Sequence, residues 1–250
     1  AGDMAAAAGV APRVVEEISA FSVTQRLVPN CSFVSSLCCC AAYERRFRRP
    51  IITSRLFPQD SKGQPVHSPS GQYTVKLHFN GVERKVTVDD LLPCDQYGRL
   101  ICAHSTRPGE FWVSLVEKAF LKVHGGYDFG GSTSEVDMYM LTAWVPEGIH
   151  IHQPPAADFS GEPPSGEPSA PRQRRLDKRF DADKTWVRMR DGHMLGQCLI
   201  SVSTAALTEA ECSALGLVDC HAYAALNVRE VCGHRLLLLK NPWSEVRWKG

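Results

Sequence analysis

Cys31 follows Asn30 at the start of an apolar stripe of helical spacing, and that placement is suited to a nucleophilic thiol. A cysteine nucleophile needs its thiolate form, a base within hydrogen-bond reach, and donors for the oxyanion that develops on the attacked carbonyl. The positive end of a helix favours the thiolate. Gln25 lies six positions before Cys31. Far along the chain come Cys220-His221-Ala222-Tyr223 and Lys240-Asn241-Pro242-Trp243. His221 is the candidate general base, Asn241 its orienter, and Trp243 a ring able to cover their contact. Taken singly, each has a plainer reading: a half-buried thiol, a packed histidine, a turn. The order Gln, Cys, His, Asn makes the chemical reading the stronger one.

The elements needed to position these groups can be read around them. Asn30 is a suitable helix cap. Phe33, Val34, Leu37, Cys38, Ala41 and Ala42 form the stripe that follows, ending near Glu44-Arg45-Arg46 before Pro50. Tyr73, Val75, Leu77 and Phe79 alternate with polar residues. Asn80-Gly81 then signals a hairpin, with Val86 and Val88 on the return strand. A second helix is predicted from about Glu110 to His124, with Gly125 at its stop. Strands are predicted at Met194–Val202, Ala222–Val228 and Arg235–Lys240, the last fully buried because of its four leucines.

Residues 1–19 are Ala-rich at the start and read as a disordered arm. Residues 153–183 are rich in Pro, Gly and charge and read as a disordered insertion, too poor in apolar side chains to offset ordering entropy. The chain of 250 residues is 44% hydrophobic and 22% charged, which suits a globular protein, and its formal net charge of +1 gives no field favouring nucleic acid. No apolar run approaches the length of a membrane span. Ten cysteines, three of them consecutive and none in a C-x-x-C pair, read as reduced thiols in a cytoplasmic protein, not as a metal site. The chain begins without Met and stops just past a Trp-rich motif, as a piece of a longer protein would.

Three blocks resemble the calpain family, in particular its PalB-like branch. Phe21 to Gln25 and Cys31 to Val34 resemble the nucleophile block, with Ser32 where conventional calpains carry Trp. Val88 to Pro93 and Phe111 to Ala119 resemble the scaffold around the second helix. His221-Ala222-Tyr223 and Lys240 to Trp243 resemble the base and orienter blocks. The resemblance implies an α+β, papain-like two-lobe cysteine protease. A helical first lobe, about 20–141, would carry Gln25 and Cys31. A β-rich second lobe, about 142–250, would carry His221 and Asn241. It implies a calpain-like cysteine endopeptidase acting on proteins or peptides, with partners in endosomal sorting machinery reached through flanking domains. A weak or inactive scaffold acting through protein interactions is the alternative.

Conventional calpains also bind calcium in both lobes. Here Glu117 matches one acidic position, but Ser22 and Arg247 stand where other carboxylates are expected. No cofactor and no metal site is therefore expected. Cys220 and Thr142-Ala143 replace glycines of the family pattern.

Overall fold

The computed structural model describes residues 9–151 and 180–249. Most of the 153–183 insertion, and residues 1–8 of the arm, lie outside the described residues.

Helix α1 spans Cys31–Phe47 and is the central element. Nearly every residue from Ser32 to Ala41 is buried, on all sides of the helix, because neighbours from both halves of the chain pack against it. Phe33 stacks on Phe120 of helix α2 (Trp112–Val123), with ring centroids 3.9 Å apart. Such a pair adds to the area it buries. Helix α3 is Ser134–Thr142.

Strand β1 (Val23–Thr24) pairs with β5 (His104–Ser105). Strands β2 (Leu56–Phe57), β3 (Gln72–Phe79) and β4 (Val82–Asp89) form an antiparallel sheet. Its hairpin turns at Asn80-Gly81, both at positive φ, as a two-residue turn of the twist-matching kind requires. Tyr73, Val75 and Leu77 face the core.

The second half contains helix α4 (Ala182–Met194), helix α5 (Glu209–Leu215) and an antiparallel sheet. That sheet is ordered β6 (Ile200–Ser203), β7 (Ala222–Val231), β8 (His234–Lys240). Helices and a small sheet come first and a second sheet later, which is the α+β, papain-like arrangement.

Four sequence expectations are corrected. Residues 9–19 are not a disordered arm. Val14 and Ile18 are buried, Arg13 N–H donates to Gly109 O at 2.8 Å, and Trp112 N–H donates to Val14 O at 2.9 Å. The Ala-rich start hid two well-spaced core residues. The end of the 153–183 insertion is ordered: Asp181 caps α4 by accepting from Lys184 N–H at 2.9 Å. The strand placed at Met194 begins only at Ile200, because Met194 closes that helix. Helix α4 escaped notice because it is largely polar and buries little beyond Trp186 and His193. Finally, the leucine run is not fully buried. Leu236 and Leu238 are about half exposed, because they share a sheet face with their cross-strand partners Arg229 and Asn227.

Among the described residues no helix is long and apolar enough to cross a membrane.

Candidate active site

Cys31 is the first residue of α1, where backbone N–H groups have no intrahelical acceptor. It is partly exposed. Its neighbours in the helix contrast with it. Burial pushes the Cys38 thiol up to about 12 and raises Cys39 and Cys40 strongly, so these three act as packing groups.

Asn30 occupies the cap position, but its side chain does not cap the helix. Its amide N–H₂ donates instead to Glu117 Oε1 at 2.7 Å. A cap would need Oδ1 as acceptor, but with Nδ2 turned to the buried carboxyl, Oδ1 is left without a partner among the described residues. Glu117 Oε2 accepts from Ala103 N–H at 2.8 Å. Burial pushes the Glu117 carboxyl up to about 7, against the opposing pull of these two donors.

That value lies above the unfolded one near 4.3, so the folded chain holds this proton more tightly. The carboxyl costs nothing at low pH and destabilises the fold progressively as pH rises towards neutrality. Relative to Glu117→Gln, the native chain is expected to lose up to about 3 kcal/mol between about pH 4 and pH 8. Parallel urea titrations at the two pH values measure this. A pH-independent difference contradicts it.

His221 enters the site at the start of β7. Its backbone N–H donates to Thr204 Oγ1 at 3.0 Å, and its carbonyl accepts from Thr204 N–H at 2.9 Å. The imidazole is almost wholly buried. Its Nε2 lies 2.8 Å from Asn241 Oδ1. The orientation of the Asn241 amide is fixed by two further bonds. Nδ2 donates to Val246 O at 3.0 Å, and Oδ1 accepts from Trp243 N–H at 3.0 Å. An amide oxygen can only accept, so Nε2 carries the proton and Nδ1 is left as the basic nitrogen. Burial lowers the His221 pKa, and the Asn241 bond partly offsets this. The Trp243 ring lies over the imidazole, with centroids 4.5 Å apart, and remains partly exposed on its outer side. Tyr223 meets the imidazole edge-on at 5.0 Å.

Of the bonds that join the half carrying Cys31 to the half carrying His221, two lie beside the candidate residues. Gln25 N–H donates to Pro242 O at 2.9 Å, beside Asn241. Ser35, one turn along α1 from Cys31, donates through Oγ to Ala222 O at 2.8 Å, beside His221. Both groups of this second bond are buried. Ser35→Ala orphans a buried carbonyl and is expected to cost about 1–3 kcal/mol in urea unfolding. An unchanged unfolding midpoint would rule out this tie. Sequence reasoning missed Ser35, since a serine at helical spacing gives no sign that its acceptor is 187 residues away.

Gln25 is buried, and one amide N–H donates to its neighbour Val28 O at 2.9 Å. The second N–H remains for another acceptor. Among the described residues no hydrogen bond joins His221 to Cys31, and the imidazole is held through Nε2 by Asn241. Cys220, where the family pattern has glycine, adopts φ +44°.

Glu117 and Ser22, which match calcium positions of the family pattern, are engaged in hydrogen bonds within the chain. A calcium ion collects six to eight oxygens. Both Glu117 oxygens instead face N–H donors, and Ser22 Oγ donates to Ser19 O at 3.0 Å.

A helix-borne thiol and a buried imidazole of fixed tautomer bonded to an amide, on an α+β scaffold of this kind, suit a papain-like thiol protease domain. The chain belongs to the calpain family: the model described as "Calpain family cysteine protease" matches residues 7–250. It is 45% identical to Calpain-7 of Mus musculus and 44% identical to Calpain-7 of Homo sapiens. Each alignment covers 239 residues, 96% of this chain and 27% of the relative. It is 36% identical to the calpain-like protease palB/RIM13 of Aspergillus oryzae, over 89% of this chain and 23% of that protein. The chain thus spans about a quarter of the length of the curated relatives it matches.

Proposed function

We propose that this chain is the protease core of a calpain-type cysteine endopeptidase that makes limited cuts in proteins. The observation that carries the reading is the His221–Asn241 pair. Its fixed tautomer leaves Nδ1 basic on the half of the domain that Ser35 and Gln25 tie to the Cys31 helix.

The reaction proceeds in two halves. His221 Nδ1 takes the Cys31 proton, and the thiolate attacks the peptide carbonyl carbon. The oxyanion accepts from the Cys31 backbone N–H and the remaining N–H of the Gln25 side chain, a donor type worth roughly 10²–10³ in rate. The tetrahedral species collapses as Nδ1–H protonates the departing amine, leaving a thioester on Cys31. Water then loses a proton to Nδ1 and attacks the thioester, and the acid product leaves as the thiol is restored. Trp243 shields the His221–Asn241 bond from water, which strengthens it.

Catalysis here does not use the family's calcium switch, a reading supported by the donors that surround Glu117. Ten unpaired cysteines support a cytoplasmic setting. Partnership with endosomal sorting machinery rests on the resemblance to PalB-like enzymes alone.

The test is casein hydrolysis by the purified chain, with calcium or with a chelator, beside Cys31→Ala. Cleavage that survives chelation and is lost in the variant is the expected result. Cleavage that persists in the variant removes Cys31 from the mechanism, and cleavage that requires calcium removes the calcium-free reading. The second reading is a weak or inactive scaffold acting through protein interactions. Failure to cleave under every condition selects it.

A further inference from the structure

Beside the nucleophile lies a buried polar chain that the proposed chemistry leaves unused. Ser32, next to Cys31, has its Oγ 3.0 Å from Ser132 Oγ. Ser132 Oγ donates to Asp137 Oδ2 at 2.7 Å. A hydroxyl has one proton, so Ser132 spends its own on Asp137 and accepts the one from Ser32. The direction of the chain is therefore set: Ser32 to Ser132 to Asp137.

Asp137 is fully buried within α3, and its Oδ1 has no partner among the described residues. Burying a carboxylate this way is costly unless hydrogen bonds compensate. The charged or titratable groups that act on it are His124, from the end of α2, and Glu135, from its own helix. Burial raises its carboxyl to about 6, opposed by the Ser32 and Ser132 hydroxyls.

The segment 130–132 runs close to the residues preceding Cys31. Gly131 adopts φ +104°, and a Cβ placed there would stand 3.8 Å from Pro29 O. The two serine bonds thus join three pieces of chain: the first turn of α1, the segment 130–132, and α3.

We propose that Asp137 is a positioning residue for the nucleophile, acting through Ser132 and Ser32 to hold the segment 130–132 against the first turn of α1. This rests on the reading of Cys31 as nucleophile, but its structural half can be tested separately. A carboxylate acceptor polarises both hydroxyls and stiffens the whole chain, as a cooperative network does. With the carboxylate removed, Ser132 loses its acceptor, and the wall beside Cys31 loosens without a change in the thiol's own covalent surroundings.

The experiment compares Asp137→Ala, Ser132→Ala and Asp137→Asn in two measurements. The first is amide hydrogen exchange over residues 129–134. The second is the rate of Cys31 alkylation by iodoacetamide, with exposed Cys94 as the internal reference. Asp137→Ala and Ser132→Ala are expected to speed exchange in that segment and to change Cys31 alkylation by about five- to tenfold relative to Cys94, the factor that one lost hydrogen bond implies. Asp137→Asn keeps an acceptor oxygen and should remain near the native values. If Asp137→Ala does not fold, Ser132→Ala carries the test. Unchanged exchange and alkylation in both alanine variants overturn the proposal. So does a loss of stability that speeds every thiol and every segment equally. A chain that shows the expected exchange pattern but hydrolyses nothing would count against the protease reading and leave this one standing.

Discussion

His221→Ala is expected to lower kcat by at least about 10³-fold, the scale on which members of a nucleophile–base unit fail together. The thiol of Cys31 keeps its place at the start of α1. It loses the group that accepts its proton and later delivers that proton to the amine. KM should change little, because the imidazole is almost wholly buried and offers little surface for ground-state binding. Adding Cys31→Ala to His221→Ala should cost almost nothing further. Two losses that instead multiply would show that the residues act independently, contrary to the mechanism. Steady-state kinetics on a fluorogenic peptide measures all three variants.

Asn241→Ala is expected to cost between roughly 10² and 10⁴-fold, the range seen when an orienting partner is lost. The reason is specific. Asn241 Oδ1 keeps the proton on Nε2, 2.8 Å away, and so keeps Nδ1 free to act as base. Without it the imidazole can rotate and can adopt the other tautomer. Asn241→Asp separates orientation from charge. Aspartate preserves the acceptor but favours the imidazolium, so the acid limb of the pH–rate profile should move to higher pH. A profile unmoved by Asn241→Asp, together with full activity in Asn241→Ala, would mean that the observed bond does not serve catalysis.

Much of the scaffold around these groups was legible from residue order. The start of α1 followed from Asn30 and the stripe behind it. The β3–β4 hairpin followed from alternation and from Asn80-Gly81, which occupy the two positive-φ positions the turn demands. Helix α2 followed from its apolar face. The failures share one cause: composition was read in place of tertiary neighbours. Val14 and Ile18 sit in an otherwise unpromising start, yet both pack into the core. The four leucines of β8 look like an interior strand but lie at a sheet edge, and nothing in the run itself specifies strand order.

The site divides in the same way. Residue types and their order singled out Gln25, Cys31, His221, Asn241 and Trp243. The structure brings His221, Asn241 and Trp243 into mutual contact. It places Gln25 and Cys31 on the half that two backbone-directed bonds tie to them. The supporting groups were silent in sequence. Glu117 was noted as an acidic position, but its partner Asn30 lies 87 residues away. Ser32, Ser132 and Asp137 acquire meaning only when three separate segments meet.

Activation of the Cys31 thiol by His221 underlies every step of the proposed chemistry. Its most direct measurement is the labelling of the purified chain at mildly acidic pH by a peptidyl epoxide that alkylates thiolates, with the modified residue identified by peptide mass mapping. Cys31 is expected to be modified first among the ten cysteines, ahead of the more exposed Cys94, Cys220 and Cys232, and His221→Ala to remove that preference. Labelling that follows exposure alone, with Cys31 no faster than those three and indifferent to His221, would contradict it.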